Sequence, residues 1–314
     1  MAIAQLAATL LSILHVHVND EPVGNLWLAW TLDPILLLEL AALLGAYFYA
    51  IGPLRRRLGV AKPVDGARVT WFVLGWLTLV FALVTPLDTL GDDYLFSAHM
   101  IQHMILAIVA PPLLLLGLPG WLFEPLFRTE TARRIGRWIT HPIIAFGLLQ
   151  ADIWLWHAPP LYDATLANET IHVLEHLTFF VFGLLYWLPI MSPTPYFPRI
   201  SKPFAILYLF VGCQPMVALG AIITFAANPL YAPYVSAPRV WGLSPLEDQQ
   251  LGGLIMWLPS NIPYLIALSV IFFQWVSDHD RAERVAAGEI VDELNAPLSS
   301  GGSESVAPAV DTAD

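Results

Sequence analysis

Apolar residues in this chain come in long, nearly unbroken runs rather than in strand-like alternation. A membrane-spanning helix needs about 20 mostly apolar residues. Runs of that kind fall at 28–52, 69–87, 98–118, 141–158, 171–190, 204–227 and 251–276, each bounded by charge, Pro or Gly. The pattern predicts an all-α polytopic membrane protein, a bundle of seven transmembrane helices. The fourth run is the shortest and depends on counting Trp154, Leu155 and Trp156 as apolar. Residues 2–14 form an eighth apolar stretch, too short to span. It lacks a basic leader region and a clear cleavage site, so it is expected to be an interfacial or dispensable segment, with a processed signal as the alternative. From residue 278 the chain turns polar and is expected to be a solvated, disordered tail. The expected organisation is an outer N-terminal segment at 1–27, a seven-helix domain at 28–277 and a cytoplasmic tail at 278–314.

Composition agrees with that pattern. Of 314 residues, 57% are apolar and 12% charged, and the mean hydropathy is +0.65. Soluble domains are about one-quarter charged, so a soluble enzyme, a nucleic-acid binder and a disordered scaffold are excluded. A single cysteine, Cys213, excludes a disulfide framework and a CxxC redox centre. No Gly-rich phosphate loop is present, and neither a nucleotide nor a nucleic-acid partner is expected.

Charge placement orients the bundle. Lys and Arg gather in cytoplasmic loops of membrane proteins. Here Arg55, Arg56, Arg57, Lys62 and Arg68 follow the first run, and Arg128, Arg133, Arg134 and Arg137 follow the third. Arg199 and Lys202 follow the fifth, and Arg281 and Arg284 the seventh. Only Arg239, of the 14 basic residues, falls on the opposite side. The N-terminus is therefore expected outside and the C-terminus in the cytoplasm. The outer loops are acidic, with Asp20, Glu21, Asp88, Asp92, Asp93, Asp163, Glu169, Glu247 and Asp248. That rim either merely avoids the basic face or concentrates cations.

Topology sorts the nine histidines. His99 and His103 open the third run, His157 closes the fourth, and His172 and His176 open the fifth. These five are expected at one depth, just beneath the outer surface. Two of the sets are i, i+4 pairs, which project from one helix face. Imidazoles on one face can share a metal ion, and they suit copper, zinc, iron and nickel. Ionisable groups within a bilayer are costly and usually face the bundle interior. His141 and His279 fall at the cytoplasmic boundary, and His15 and His17 are weaker candidates in the N-terminal segment.

Softer donors bear on the choice of metal. Met100 and Met104 each follow a histidine, and Cys213, Met216 and Met256 lie in later runs. Thioether and thiolate ligands favour Cu(I), so the set points toward copper. Taken singly, each of these residues is better explained as packing material. Glu39 and Asp152 are carboxylates within apolar runs, and each needs a partner. Asp152 is either an outer-shell group orienting His157 or a hydrogen-bond link between helices. Trp154, Trp156, Trp241 and Tyr162 are expected in the outer aromatic belt, and Trp138 and Trp187 in the inner one.

Four stretches together carry a resemblance: SAHMIQHMILAIVAPPLLLLGLP at 97–119, WLWHAPPLYDATL at 154–166, IHVLEHLTFFVFGLLYWLPI at 171–190 and LEDQQLGGLIMWLPSNI at 246–262. The chain resembles the CtaG-type cytochrome c oxidase assembly factors, multi-span bacterial membrane proteins, over about residues 25–277. The resemblance implies a non-enzymatic role in maturing a haem–copper oxidase in the bacterial plasma membrane, by handling copper for its metal centres. Oxidase subunits or a periplasmic copper carrier would then be the partners, alongside membrane lipid. The family's histidines fall on His99, His103, His157, His172 and His176. Independently of the family, their soft thioethers add Met100 and Met104 as supporting donors. Two other readings stay open on the residues. A zinc-dependent intramembrane hydrolase could use three histidines and Asp152, with Ser97 nearby. A haem protein could use histidines on facing helices as axial ligands.

Overall fold

A computed structural model describes residues 25–60, 63–125, 127–194, 196–197 and 199–286. The expectations for residues 2–14, for His15 and His17, and for the tail beyond Ala286 lie outside the described residues. Among the described residues the fold is entirely helical. We number the helices α1 (Pro34–Arg57), α2 (Gly66–Val84), α3 (Pro86–Asp93), α4 (Phe96–Gly117), α5 (Glu130–Ile139) and α6 (Pro142–Trp156). They continue with α7 (Pro159–Ala167), α8 (Glu169–Met191), α9 (Lys202–Thr224), α10 (Ala232–Ser236), α11 (Pro245–Trp257) and α12 (Asn261–Ala286).

Among the described residues six helical segments are long and apolar enough to cross a membrane, the sixth being Pro245–Ala286 with α11 and α12 taken together. The expected fourth span, α6, has only 15 residues, about 22 Å at 1.5 Å per residue. Pro142 starts it and the turn at His157 ends it. The expected seventh span is not one helix. It breaks between Trp257 and Asn261, where Pro259 has no amide to donate, and α12 then runs on to Ala286.

The centre of the bundle is α4. Its span is 72% buried, against 17–39% for the other five. It packs on α2, α3, α8 and α11. Pro111 and Pro112 would break a regular helix here, and the chain answers with a π-turn at Ile105–Val109, immediately after the segment bearing His99 and His103. Pro111 leaves the Ala107 carbonyl without its helical donor. Gly183 of α8 comes so close that a Cβ there would stand 2.4 Å from that oxygen. This contact brings the α4 and α8 backbones together one to two turns below their histidines.

Helix ends are fixed by short polar residues. Asp33 caps α1 through Ile35 N–H at 2.7 Å and Leu36 N–H at 2.8 Å. Asn168 caps α8 through Ile171 N–H at 3.2 Å, and Ser244 with Glu247 forms a reciprocal cap on α11. The cap of α4 comes from another helix: Asp248 of α11 accepts Phe96 N–H at 2.7 Å and Ser97 N–H at 3.1 Å.

Three of the expected belt aromatics are interior. Tyr162 and Trp187 are buried in the apolar core, and Trp156 joins them. Trp156 Nε1 donates to Asp152 at 3.0 Å and to Thr178 at 2.9 Å, tying α6 to α8. Tyr162 is held by Tyr234 at 3.1 Å between hydroxyls. A polar edge that finds an interior partner makes burial of the whole ring favourable. Trp138, Trp154 and Trp241 are exposed, as a lipid-facing position requires.

Candidate metal centre

The histidines of α4 and α8 point at each other. Phe96–Met104 sets His99 and His103 one turn apart, with ring centroids 4.2 Å apart. The His172 and His176 rings of α8 are likewise 4.2 Å apart. Across the interface His99 lies 5.3 Å from His172 and 5.7 Å from His176, while His103 lies 5.4 Å from His176. His157, at the C-terminal turn of α6, completes the cluster 5.9 Å from His103. All five expected histidines therefore meet in one place.

Two carboxylates join them. Glu175 sits between the α8 histidines, with Oε1 3.7 Å from His103 Nε2 and Oε2 3.9 Å from His99 Nε2. Asp92, at the end of α3, has Oδ1 3.4 Å from His99 Nδ1 and 3.5 Å from His172 Nε2. Gly91 allows this approach, since a Cβ there would lie 3.0 Å from the His99 Cα. Neither acid was singled out from sequence as a ligand. Glu175 carried a signal, a carboxylate deep in an apolar run and flanked by an i, i+4 histidine pair. Asp92 carried none beyond its place in the acidic rim.

Donor atoms of His99, His103, Glu175 and His176 all lie within 4.8 Å of one another, as do those of Asp92, His99 and His172. Ligand atoms around a tetrahedral ion at roughly 2.1 Å are about 3.4 Å apart, so a shift of the order of 1 Å closes either group on a cation. His99, His103 and Glu175 are 0% exposed. Both ring nitrogens of His99 and His103, Nε2 of His172 and His176, and both Glu175 oxygens find no hydrogen-bond partner in the protein. Each such buried group costs about 1–3 kcal/mol when left unsatisfied. A convergent set of them has the chemistry of a cation site.

His157 is placed differently. Its Nδ1 is 2.7 Å from the Ile153 carbonyl, which can only accept. In the neutral ring the proton therefore sits on Nδ1, and Nε2 turns its lone pair toward Met100 Sδ, 3.3 Å away. Asp152 does not orient this ring; it is occupied by Trp156. Met104 belongs to the buried apolar core. Cys213 lines an apolar groove with Phe210, Trp257 and Leu265, away from the histidines, and its Sγ donates to the Phe210 carbonyl at 3.2 Å. His141 is the exposed N-cap of α6, and His279 pairs with Glu283 at 3.2 Å. Glu39 lies on an exposed face of α1. Ser97 Oγ donates to Asp248 at 2.5 Å and is a capping group.

Behind Asp92, Asp88 of α3 accepts from Gln102 of α4 at 2.6 Å and from Thr31 at 2.6 Å. Burial, with Asp92 beside it, pushes the Asp88 carboxyl well above the ordinary carboxylate range.

A sequence model of the cytochrome c oxidase caa3 assembly factors matches residues 45–278. The chain belongs to this family. Uncharacterized proteins of Mycobacterium bovis and Mycobacterium tuberculosis are each 31% identical to it over 278 residues, 83% of this chain and 41% of theirs. One from Mycobacterium leprae is 29% identical over 280 residues, 81% of this chain and 41% of its own length. The chain thus spans under half the length of these relatives. No solved structure matches it. The family and the apolar helices make it a multi-pass membrane protein.

Proposed function

We propose that this assembly factor binds copper at the α4–α8 histidine cluster and hands it to a haem–copper oxidase during maturation of its metal centres. The observation that carries the reading is the convergence of His99, His103, His172, His176 and Glu175, with both ring nitrogens of His99 and His103, Nε2 of His172 and His176 and both Glu175 oxygens making no hydrogen bond within the protein. Imidazoles suit copper, zinc, iron and nickel, and an oxidase assembly role favours copper among these. The His157 Nε2–Met100 Sδ pair adds a nitrogen and a thioether facing each other, a combination Cu(I) accepts and zinc rarely does.

The basic loops favour seven spans with the N-terminus outside and the C-terminus in the cytoplasm, α6 being the short fourth. The cluster then faces the periplasmic edge of the bacterial plasma membrane. Copper arrives there past Asp92, which is 30% exposed, and leaves by ligand exchange to an oxidase subunit or a periplasmic copper carrier. No turnover is required, so the protein acts as a metallochaperone. Ser97 and Asp152, the residues a hydrolase would need, are held by Asp248 and Trp156.

The test is the copper content of the detergent-purified full chain, beside a variant with His99, His103, His172 and His176 replaced by Ala. Copper in the wild type and its loss in the variant are expected. Equal copper in both rejects the proposal, and zinc in place of copper supports the hydrolase reading.

A further inference from the structure

His99 belongs to both donor groups, through different atoms. Its Nδ1 faces Asp92 and the outer group, while its Nε2 faces Glu175 and the inner group. The two nitrogens lie on separate edges of one ring, so a single ion cannot take both. An ion held by His99 Nε2, His103, His176 and Glu175 leaves His99 Nδ1 and His172 Nε2 buried without a hydrogen bond, with only Asp92 Oδ1 near them at 3.4 and 3.5 Å. An ion held only by the outer group leaves both Glu175 oxygens and both His103 nitrogens in that state. Either half-filled arrangement keeps several unsatisfied polar atoms, each costing about 1–3 kcal/mol.

We infer that the cluster takes two metal ions at once, with His99 as the ligand they share. The inference rests on the copper-binding reading above and adds its stoichiometry and its shared ligand. The inner ion has three imidazoles and Glu175. The outer ion has Asp92, His172 and the opposite edge of His99, with water able to complete its shell through the partly exposed Asp92 side. Binding at both edges converts His99 to an imidazolate. Its N–H proton leaves to water on the Asp92 side, and no electron is transferred. Two carboxylates and one imidazolate then offset three of the four charges of two cupric ions, as burial of charge demands.

The experiment is a titration of metal-free, full-length protein in detergent with cupric ion, following bound copper and the electron paramagnetic resonance signal together. Two ions per chain are expected. The signal should rise through the first equivalent and fall through the second, as the two spins couple across the shared ring. The double variant Asp92→Asn/His172→Ala should bind one ion, with the signal of an isolated cupric centre. That retained equivalent also reports that the variant is folded, and Asp92→Asn alone serves if the double variant does not purify. A wild type that binds only one ion, two ions with undiminished signal, or a double variant that still binds two each overturns the inference while leaving copper binding in place. No copper bound by the wild type rejects the proposed function itself.

Discussion

Asp248 of α11 holds Ser97 of α4 twice, its Oδ1 accepting the Ser97 amide at 3.1 Å and the hydroxyl at 2.5 Å. Its other oxygen takes the Phe96 amide at 2.7 Å. A carboxylate 151 residues away in sequence thus starts the helix turn that carries His99. The histidine cluster is positioned by α11 although α11 contributes no side chain to it.

Asp248→Ala should therefore act at a distance. Losing an N-cap costs about 0.5–2 kcal/mol, and each amide left buried without an acceptor adds about 1–3 kcal/mol. The thermal unfolding midpoint in detergent should fall, and copper should bind more weakly although every ligand remains. Asp248→Asn keeps one acceptor oxygen and should show a smaller loss of both. Unchanged binding in Asp248→Ala would mean that the cap does not position His99.

Glu175→Gln should move stability and binding in opposite directions. In metal-free protein the Glu175 carboxyl group is fully buried and neither oxygen has a hydrogen-bond partner. An amide cannot ionise, so the variant escapes the cost of burying a charge wherever the carboxylate would form, and the metal-free midpoint should rise there. Copper affinity should fall by more than the roughly 10–100-fold typical of losing an outer-shell partner. A purely structural Glu175 would lower stability and leave binding alone. Calorimetric titration beside thermal unfolding separates the two.

Gly183→Ala tests the α4–α8 contact below the cluster. The new Cβ would stand 2.4 Å from the Ala107 oxygen, and overpacking of this kind costs about 1–3 kcal/mol. Spreading the two helices also separates His103 from His176. Stability and copper stoichiometry should fall together, whereas Gly45→Ala, with open space around it, should change neither.

The helical class, six of the long apolar segments and the meeting of five histidines were legible because each rests on a local regularity. Apolar run length marks a span, and the i, i+4 spacing of His99/His103 and His172/His176 marks one face. The break at Pro259 was legible in principle, since a proline inside a run removes a donor, yet hydropathy alone reads straight through it. Asp92 and Asp248 were not legible. Their roles depend on α3 and α11 reaching the start of α4, a tertiary relation that leaves no periodicity in the chain. Trp156 and Tyr162 mislead a belt assignment because their polar edges find partners on other segments, and Trp187 because the core encloses it although its indole N–H has no partner.

Asp88 supplies a pH dependence. Its folded carboxyl titrates well above the ordinary aspartate value of about 4 because of burial and the nearby Asp92. Above about pH 4 the folded state therefore keeps a proton that the unfolded chain has released. Stability contributed by this group is largest at low pH and is lost as pH rises toward the folded value. Asp88→Asn cannot titrate, so the unfolding midpoint of the wild type should fall more steeply with rising pH than that of the variant. The comparison is of slopes, so any fixed cost of seating the amide beside Gln102 cancels. Parallel slopes would remove Asp88 from the account.

Met100→Leu isolates the soft donor. Leucine keeps nearly the same volume, and such swaps usually cost less than about 1.5 kcal/mol, so the fold should persist. What disappears is the thioether 3.3 Å from His157 Nε2. In the wild type the Ile153 carbonyl fixes the ring proton on Nδ1, and two lone pairs face each other across that gap. Only a soft cation can join them, so the variant should lose Cu(I) affinity while its affinity for Zn(II), held by imidazole and carboxylate, stays level. Competition against a Cu(I) chelator and a Zn(II) chelator in parallel measures the difference. Equal losses for both ions would show that Met100 acts only by packing, and the thioether would then give no preference for copper.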